Sequence, residues 1–375
     1  MEYKLFQGKS LSRLGMGNMR LPTTEPGGPI DMEKAQAIID HVIASGVNYF
    51  DTAWFYHNGE SENFLGKALA KYPRESYYLA DKMPSSVLKT REMTPRELFE
   101  TQLKKCNTDY FDFYLLHNVS EATVDLFTDE ELGVIPYLLE EKKAGRIRHL
   151  GFSSHSTPAT LKNFLDRYDF FEFVQIQLNY LDWTLQDAKA QYEIITEYGA
   201  PVWVMEPCRG GRLASLTPEA DALLKSKRPD KSVASWAFRW LQGLDNVQVI
   251  LSGMTQMDQA ADNLDTFSAH QPLSEEEQST LAEALDILHK AVFVPCTKCH
   301  YCDGCPKGLD IPKLLHKYNA YRLNPSPFAR AAYRDMPEEE RAEQCIHCGR
   351  CIAKCPQHID IPAELHAYSV AMSEE

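Results

Sequence analysis

The sequence predicts an α/β protein in which a (β/α)8 TIM barrel over residues 1–290 is followed by a small, mostly α-helical domain over residues 291–375. Short β-branched and aromatic runs alternate with helical segments along the first part, and their number and spacing match those of such a barrel. Of the ten cysteines, eight lie between Cys296 and Cys355. The cysteine-poor first part and the cysteine-rich tail are therefore expected to be separate domains.

The eight predicted strands are the runs at 11–17, 47–51, 76–81, 111–116, 147–152, 171–177, 201–205 and 247–251. Helix start signals stand between several of these runs. Three pairs have the spacing of a capping box, namely Thr94 with Glu97, Thr128 with Glu131, and Ser274 with Glu277. An open, doubly wound sheet is the alternative architecture. It lacks support because no GxGxxG sequence follows a strand.

The composition is that of a globular protein and excludes several functional classes. The 375 residues are 44% hydrophobic and 25% charged, with a net charge of −14. That acidity argues against nucleic acid as a partner, because phosphate binding needs clustered basic side chains. No stretch approaches the ~20 apolar residues of a membrane span. The polar N-terminal sequence MEYKLFQGKS lacks the apolar core of a secretory signal. We therefore expect a cytoplasmic protein that binds neither nucleic acid nor membranes.

The tail cysteines form the runs C-x2-C-x2-C-x2-C-P and C-x2-C-x2-C-x3-C-P. In two-cluster ferredoxins, the first three thiolates of such a run hold one iron–sulfur cube and the fourth, before proline, ligates the other cube. We therefore predict two [4Fe-4S] clusters, one held by Cys296, Cys299, Cys302 and Cys355 and the other by Cys345, Cys348, Cys351 and Cys305. Two four-cysteine zinc sites are the alternative, although zinc sites usually pair two CxxC knuckles across a longer loop.

The tail also contains an internal repeat. The segment from Cys305 to Pro312 returns 50 residues later as Cys355 to Pro362. A helix is expected to begin at each of the two prolines, since proline favours the first helical turn, and residues 336–343 are expected to be helical as well. The sequence thus predicts a duplicated, mostly helical ferredoxin-like domain.

Four polar side chains stand where predicted strands end. Asp51 closes the second run, Lys82 follows the third, His117 follows the fourth, and Tyr56 lies five residues after Asp51. Each has a structural explanation when it is taken alone, such as helix capping for Asp51 or packing for Tyr56 and His117. Barrel enzymes, however, place their reactive groups at the carboxyl ends of the strands. If the barrel closes, the four side chains converge on one mouth.

Together these four residues are suited to the reduction of a carbonyl by hydride, which requires a proton donor at the oxygen. Tyr56 is the candidate donor, because a nearby cation can lower the usual tyrosine pKa of ~10. Lys82 would supply that cation and Asp51 would hold Lys82 in place. His117 would donate a hydrogen bond to the substrate oxygen.

The segment DTAWFY from Asp51 to Tyr56, with Glu62 and the sequence LGKAL at 65–69, resembles the signature of the aldo-keto reductase family. Lys82 and His117 match the positions that complete the catalytic tetrad of that family. With its cysteine tail, the chain is similar to the bacterial and archaeal aldo-keto reductases that carry a C-terminal 4Fe-4S domain. The resemblance implies a small-molecule carbonyl substrate and an NAD(P)H cofactor bound across the barrel mouth.

The resemblance also implies which residues hold the cofactor. They are Gly17, Asn18 and Arg20 after the first strand, Ser153, Ser154 and Gln175 at the carboxamide, Met205 in place of the stacking tyrosine, and Ser252, Gly253, Met254, Gln259 and Asn263 at the adenosine phosphate. Gly253 and Gln259 replace the basic residues that usually grip the 2′-phosphate. The sequence therefore does not favour NADPH over NADH.

Nicotinamide transfers two electrons as a hydride, whereas each cluster transfers one. A flavin would divide the pair, and a barrel mouth with a phosphate site after its last strands could hold one. A flavin-mediated reductase that uses the clusters as a one-electron relay is therefore one alternative. A second alternative is an electron-carrier protein that has a non-catalytic barrel and works with a redox partner protein. In a third, the clusters only hold the tail in its fold against the barrel.

Overall fold

A computed structural model of the chain describes residues 1–296, 299–323 and 325–373. Its strands are β1 (Tyr3–Phe6), β2 (Lys9–Ser12), β3 (Leu14–Gly17), β4 (Tyr49–Asp51), β5 (Tyr78–Pro84), β6 (Phe111–Val119), β7 (Ile147–Ser154), β8 (Val174–Gln177), β9 (Val202–Met205) and β10 (Val247–Ser252). Its helices are α1 (Met32–Ala44), α2 (Ser61–Leu69), α3 (Ser85–Thr90), α4 (Pro95–Lys105), α5 (Val124–Thr128), α6 (Val134–Lys143), α7 (Pro158–Arg167), α8 (Asp182–Leu185), α9 (Ala188–Tyr198), α10 (Pro218–Lys227), α11 (Ala234–Gln242), α12 (Met257–Thr266), α13 (Glu275–Val292), α14 (Ile311–Leu323), α15 (Pro327–Arg334) and α16 (Ile361–Ser373).

Strands β3 to β10 form a closed parallel barrel in chain order, and β10 pairs with β3 to close it. Each of the eight predicted runs contributes one of these strands. The register places Gly17 beside Asp51 and Pro84 beside His117, so these strand ends lie at the same rim. The predicted TIM barrel is confirmed.

An N-terminal hairpin, which the sequence did not predict, precedes the barrel. Strands β1 and β2 pair antiparallel across Gln7 and Gly8, whose φ angles of 46° and 80° are those of a tight two-residue hairpin turn. Phe6 is buried in the same cluster as residues from the early parts of the barrel strands and packs edge-to-face on Trp203 at 5.2 Å. The hairpin therefore covers the end of the barrel opposite the carboxyl rim.

The first predicted strand, 11–17, is divided at Arg13. The Arg13 guanidinium is buried and lies 2.8 Å from the Glu2 carboxylate. The chain leaves β2 at this residue and enters the barrel with β3. A buried ion pair thus separates two strands that share one apolar run.

The helix start signals are borne out in part. Thr94 and Glu97 form the predicted capping box at the start of α4. Helix α13 begins at Glu275, directly after Ser274, where the third box predicts a start. The helix start predicted at Thr128 is wrong, because Thr128 is the last residue of α5 and the next helix begins after Gly133.

The chain divides into two compact units. The first comprises Met1–Ala214 and Lys231–Glu275, and the second comprises Ser215–Asp230 and Glu276–Glu375. Helix α13, which contains the predicted domain boundary at residue 290, lies in the second unit apart from its first residue. No helix among the described residues is long and apolar enough to cross a membrane.

The second unit is built on the repeat. Helices α14 and α16 begin at Ile311 and Ile361, with the two repeat prolines in their second positions. Their tyrosines meet, with the Tyr318 and Tyr368 ring centroids 5.0 Å apart. The predicted helix at 336–343 is wrong. Two short 3-10 turns occupy this region, and Arg341 lies between them in extended conformation.

Candidate active site

The buried ion pair of Asp51 and Lys82 lies at the carboxyl rim of the barrel. Asp51 is the last residue of β4, and Lys82 lies in the neighbouring strand β5. Lys82 Nζ donates to Asp51 Oδ1 at 2.5 Å and to the main-chain oxygen of Thr52 at 2.7 Å. Both side chains are almost completely buried. These contacts fix the ammonium group at the centre of the site.

Tyr56 and His117 complete the group. Tyr56 follows β4 in a tight turn, in which His57 and Asn58 have positive φ angles. The Tyr56 ring centroid lies 5.0 Å from Lys82 Nζ and 6.2 Å from the His117 ring, which it meets edge-on. The structure therefore brings together the four side chains that the sequence predicted to be catalytic.

The electrostatics of Tyr56 differ from the sequence expectation. Burial raises the pKa of Tyr56, and this effect outweighs the lowering by the Lys82 ammonium. Burial by itself lowers the pKa of Lys82. Asp51 and Tyr56 raise that pKa by more than burial lowers it, so the pKa of Lys82 lies above its usual value. At neutral pH the site therefore holds a protonated tyrosine beside a charged lysine, which is the state a proton donor requires.

His117 is an uncharged imidazole. Burial, with the positive charge of Lys82 as the next cause, lowers the pKa of His117 to about 3. A neutral imidazole carries one N–H and can donate it to a substrate oxygen. His117 can therefore polarise a carbonyl through a hydrogen bond without acting as the acid.

A cavity of about 300 Å³ opens beside the tetrad and is lined by Asp51 and Tyr56. Eight of the predicted cofactor residues also line it, namely Gly17, Arg20, Gln175, Met205, Ser252, Gly253, Gln259 and Asn263. The strand ends and the segment after β10 therefore form one continuous surface.

The other four predicted cofactor residues, Asn18, Ser153, Ser154 and Met254, are not among the described residues that line the cavity. Asn18 is buried and donates to the main-chain oxygen of Asp51 at 2.9 Å. The hydroxyl groups of Ser153 and Ser154 are buried and hydrogen-bond to neighbouring protein groups, and Met254 is fully buried. The side chains of all four are therefore buried within the protein.

Two cavities in the second unit are lined by the tail cysteines. The larger, about 120 Å³, is lined by Arg350, Lys354 and five cysteines. Four of these cysteines, Cys305, Cys345, Cys348 and Cys351, define what we call the basic site. The smaller, about 20 Å³, includes what we call the neutral site, defined by Cys296, Cys299, Cys302 and Cys355. Each site therefore combines three cysteines of one run with the Cys-Pro cysteine of the other. Cys302 also reaches the larger cavity, so the two sites adjoin.

Comparison with known proteins identifies the family. Residues 13–286 match the model of the aldo/keto reductase family. The chain belongs to the aldo/keto reductase family. Residues 295–359 of this reductase also match the model of a 4Fe-4S dicluster domain.

Several relatives of the reductase cover about three quarters of its chain. L-galactose dehydrogenase of Arabidopsis thaliana is 25% identical over 306 residues, which is 75% of this chain and 92% of the plant protein. The holo form of aldo-keto reductase AKR11C1 of Bacillus halodurans is 28% identical, with a TM-score of 0.61 over 76% of this chain and 96% of its own. An aldo-keto reductase of Klebsiella pneumoniae solved with NADPH has a TM-score of 0.61 at 17% identity, over 74% of this chain and 92% of its own, and shows the fold alone.

A buried polar network supports Lys82 of the reductase from outside the barrel. Asp81 accepts from the Lys82 main-chain N–H at 2.8 Å, and Gln102 donates to the Lys82 oxygen at 3.0 Å. Gln102 and Lys105 also bind the two oxygens of Glu62 at 3.0 and 2.9 Å. Burial and the neighbouring Glu62 raise the pKa of Asp81 well above its usual range. The network fixes the main chain that presents Lys82.

Glu206 also lines the reductase cavity but was not predicted. It directly follows β9, has a φ of +56°, and pairs with Arg20 at 3.4 Å. The loop behind it is braced by Arg209, whose Nε donates to both oxygens of buried Asp182 at 3.0 and 3.2 Å. The strand-end rule that selected Asp51 would also have selected Glu206, because it is a charged residue at the carboxyl end of a strand.

The pKa of His117 leads to a testable prediction. Because that pKa is about 3, His117 stays neutral from about pH 5 to 8, where an ordinary histidine titrates. We expect His117→Asn to lower the rate of carbonyl reduction without changing the shape of the pH–rate profile over that range. A limb near pH 6.5 in the wild type that disappears in the variant would contradict the prediction.

Proposed function

We propose that the barrel of this reductase interconverts a small carbonyl compound and its alcohol with NAD(P)H, and that the tail holds two [4Fe-4S] clusters that transfer electrons. One observation supports the proposed activity of the barrel. Asp51, Tyr56, Lys82 and His117 meet at the edge of a 300 Å³ cavity that most of the predicted cofactor residues line. A bound nicotinamide would supply the hydride.

The buried amide of Gln175 supports the nicotinamide. Its Oε1 atom has no hydrogen-bond partner among the described residues, and Gln175 lines the cavity. A buried polar atom without a partner is costly. The carboxamide N–H₂ of a nicotinamide would satisfy it.

Each tetrad residue then has one task. Tyr56 gives its phenolic proton to the carbonyl oxygen while hydride reaches the carbonyl carbon, and Lys82 stabilises the tyrosinate that remains. His117 donates an N–H to the same oxygen and so orients the carbonyl. Asp51 holds Lys82 charged and in place through the 2.5 Å contact.

Binding titrations of NADPH and NADH test the cofactor proposal, and Arg20 supplies the variant. The Arg20 side chain packs closely against Gly253. A Cβ atom added at Gly253 would lie 3.0 Å from the Cβ of Arg20. Arg20 is the cation among the described residues that line the cavity. We therefore expect Arg20→Gln to weaken NADPH binding about tenfold, the lower end of the range for a charged hydrogen bond. Lys34→Gln, at an exposed lysine outside the cavity, is the matched control. A wild-type protein that binds neither nucleotide would refute the proposal.

The cysteine cavities support the cluster half of the proposal. Each cavity is lined by three cysteines of one run and by the Cys-Pro cysteine of the other, and Cys302 reaches the larger cavity as well. Three cysteines with the Cys-Pro cysteine of the other run are the ligand pattern of two-cluster ferredoxins. A visible spectrum of anaerobically purified protein, with its iron and zinc contents, tests this directly. Zinc in place of iron would reject the clusters, and flavin bands would favour a flavin-mediated reductase.

Variants of the two Cys-Pro cysteines test the crossed pattern. We expect Cys305→Ala to damage the cluster of the basic site and Cys355→Ala to damage that of the neutral site. Iron content should fall from about eight to about four atoms in each variant, and the EPR interaction between two reduced cubes should disappear. Cys208→Ala, at a cysteine of the first unit, should retain all the iron. Loss of the cluster on the variant's own run would contradict the crossed pattern.

A further inference from the structure

The side chain of His57 connects the turn that carries Tyr56 to the loop that follows β3. His57 is the residue after Tyr56 and has a φ of 53°, in the left-handed region where histidine is several-fold enriched. Its Nε2 atom accepts the main-chain N–H of Leu21 at 3.0 Å. A side chain from the Tyr56 turn therefore binds the chain directly after Arg20.

The same ring also binds the chain directly before Arg20. Burial lowers the pKa of His57, and a hydrogen bond to the Met19 main chain, which is the smaller effect, acts to raise it. The ring is therefore a neutral imidazole at neutral pH, with one N–H to donate and one nitrogen to accept. A bond that raises the pKa of a histidine is one that the ring donates, so its N–H is directed to Met19 while Nε2 accepts from Leu21. One side chain thus holds the peptide groups on both sides of Arg20.

Arg20 needs such support because little of its own side chain is fixed by packing. The side chain lines the cavity, lies against Gly253 and pairs with Glu206 at 3.4 Å, but it is 46% exposed. Ordering a long side chain costs conformational entropy. The main-chain oxygen of Arg20 accepts from Thr255 Oγ1 at 2.8 Å. The direction of the guanidinium therefore depends on how firmly Thr255 and His57 hold the Arg20 main chain.

The turn that carries Tyr56 has supports of its own. The Tyr56 N–H donates to the Ala53 oxygen at 3.1 Å. Lys105 Nζ lies 4.0 Å from the centroid of the Trp54 ring. Neither contact involves the imidazole. Removal of the His57 ring should therefore loosen the loop after β3 and leave the turn in place.

We infer that His57 is a positioning residue for the cofactor, which holds Arg20 toward the phosphate groups of a nicotinamide nucleotide. The inference rests on the proposed function, because it requires NAD(P)H to bind in the cavity. It also joins the residue that binds the cofactor to the segment that carries the proton donor, since His57 directly follows Tyr56.

Nucleotide titrations of two variants of the full-length chain test the inference. His57→Asn keeps a residue that tolerates a positive φ, but its amide ends one bond short of the Nε2 position and cannot accept the Leu21 N–H. We expect it to weaken NADPH binding about three- to tenfold, the range for one net hydrogen bond. The longer amide of His57→Gln reaches the Nε2 position and should restore most of the affinity. His41→Asn, at an exposed histidine of α1 outside the cavity lining, is the matched control and should bind NADPH as the wild type does.

A double-mutant cycle with Arg20→Gln shows whether His57 acts through Arg20. If it does, His57→Asn should weaken NADPH binding no further once residue 20 is glutamine. At saturating NADPH, the single-turnover rate of carbonyl reduction in His57→Asn should change less than the affinity does. An unchanged affinity, an effect that adds in full to that of Arg20→Gln, or a rate that falls as much as the affinity would overturn the inference. A wild-type protein that binds neither nucleotide would instead refute the proposed function.

Discussion

Replacement of Tyr56 by phenylalanine is expected to slow hydride transfer to a carbonyl by about 10²–10⁴-fold, the usual contribution of a positioned general acid. Burial keeps the pKa of Tyr56 above its ordinary value, so the wild-type residue carries the proton that it must give. Phenylalanine keeps the ring beside Lys82 and His117 but has no proton to donate. Nicotinamide binding should change little, because only the hydroxyl is lost.

Single-turnover oxidation of bound NAD(P)H by a reactive test carbonyl measures this effect free of product release. Tyr3→Phe is the control, because it removes a hydroxyl that binds the Gly46 oxygen in the first unit, away from the cavity. That variant should react at the wild-type rate. A loss of less than about tenfold in Tyr56→Phe, well under the usual range, would remove Tyr56 from the proposed mechanism.

Replacement of Lys82 by methionine is expected to reduce the stability of the barrel by about 3–5 kcal/mol, the usual cost of breaking a buried ion pair. The variant leaves the Asp51 carboxylate buried without its cation. The second oxygen of Asp51 already has no hydrogen-bond partner among the described residues. Catalysis should fail as well, because no cation remains to stabilise the tyrosinate.

The chain provides a convenient probe for this experiment. All five tryptophans lie in the first unit, so their fluorescence during urea unfolding reports the barrel rather than the tail. The double variant Asp51→Leu/Lys82→Met removes both charges, and we expect it to regain most of the lost stability but none of the activity. A loss of less than about 1 kcal/mol in Lys82→Met, as for an exposed pair, would show that the pair is not buried in solution.

The barrel and its tetrad were accessible from the sequence because both depend on local patterns. A parallel strand that is buried on both faces gives an uninterrupted apolar run, and a polar residue directly after such a run belongs at the rim. Asp51 and His117 directly follow apolar residues, Lys82 follows Asp81 at the end of its predicted run, and the structure places the three side chains together around Tyr56. The two cysteine runs and the prolines that follow them could likewise be predicted to form a repeat, because their spacing is a pattern of residues close together in the chain.

Features that depend on contacts between residues far apart in the chain could not be predicted from the sequence. Arg13 divides an apolar run because its charge pairs with Glu2, eleven residues earlier in the chain. The net pKa of Tyr56 depends on its burial, which no motif reports. The carboxylates of Asp81 and Glu62 come together from a strand and a helix. In each case the deciding contact joins segments whose approach only the folded chain defines.

The crossing of cysteines between the two halves of the tail has a consequence for protein synthesis. On the proposed cluster assignment, the basic site lacks its last ligand until Cys351 has been made, and the neutral site lacks its last ligand until Cys355 has been made. On a ribosome, the barrel would emerge and could fold long before either set of thiolates was complete. Both sets would then be completed within a few residues of each other, at Cys351 and Cys355. If the proposed clusters form, iron and sulfide delivered to a nascent chain would find neither set of thiolates complete before Cys351, and cluster insertion would follow the synthesis of both cysteine runs.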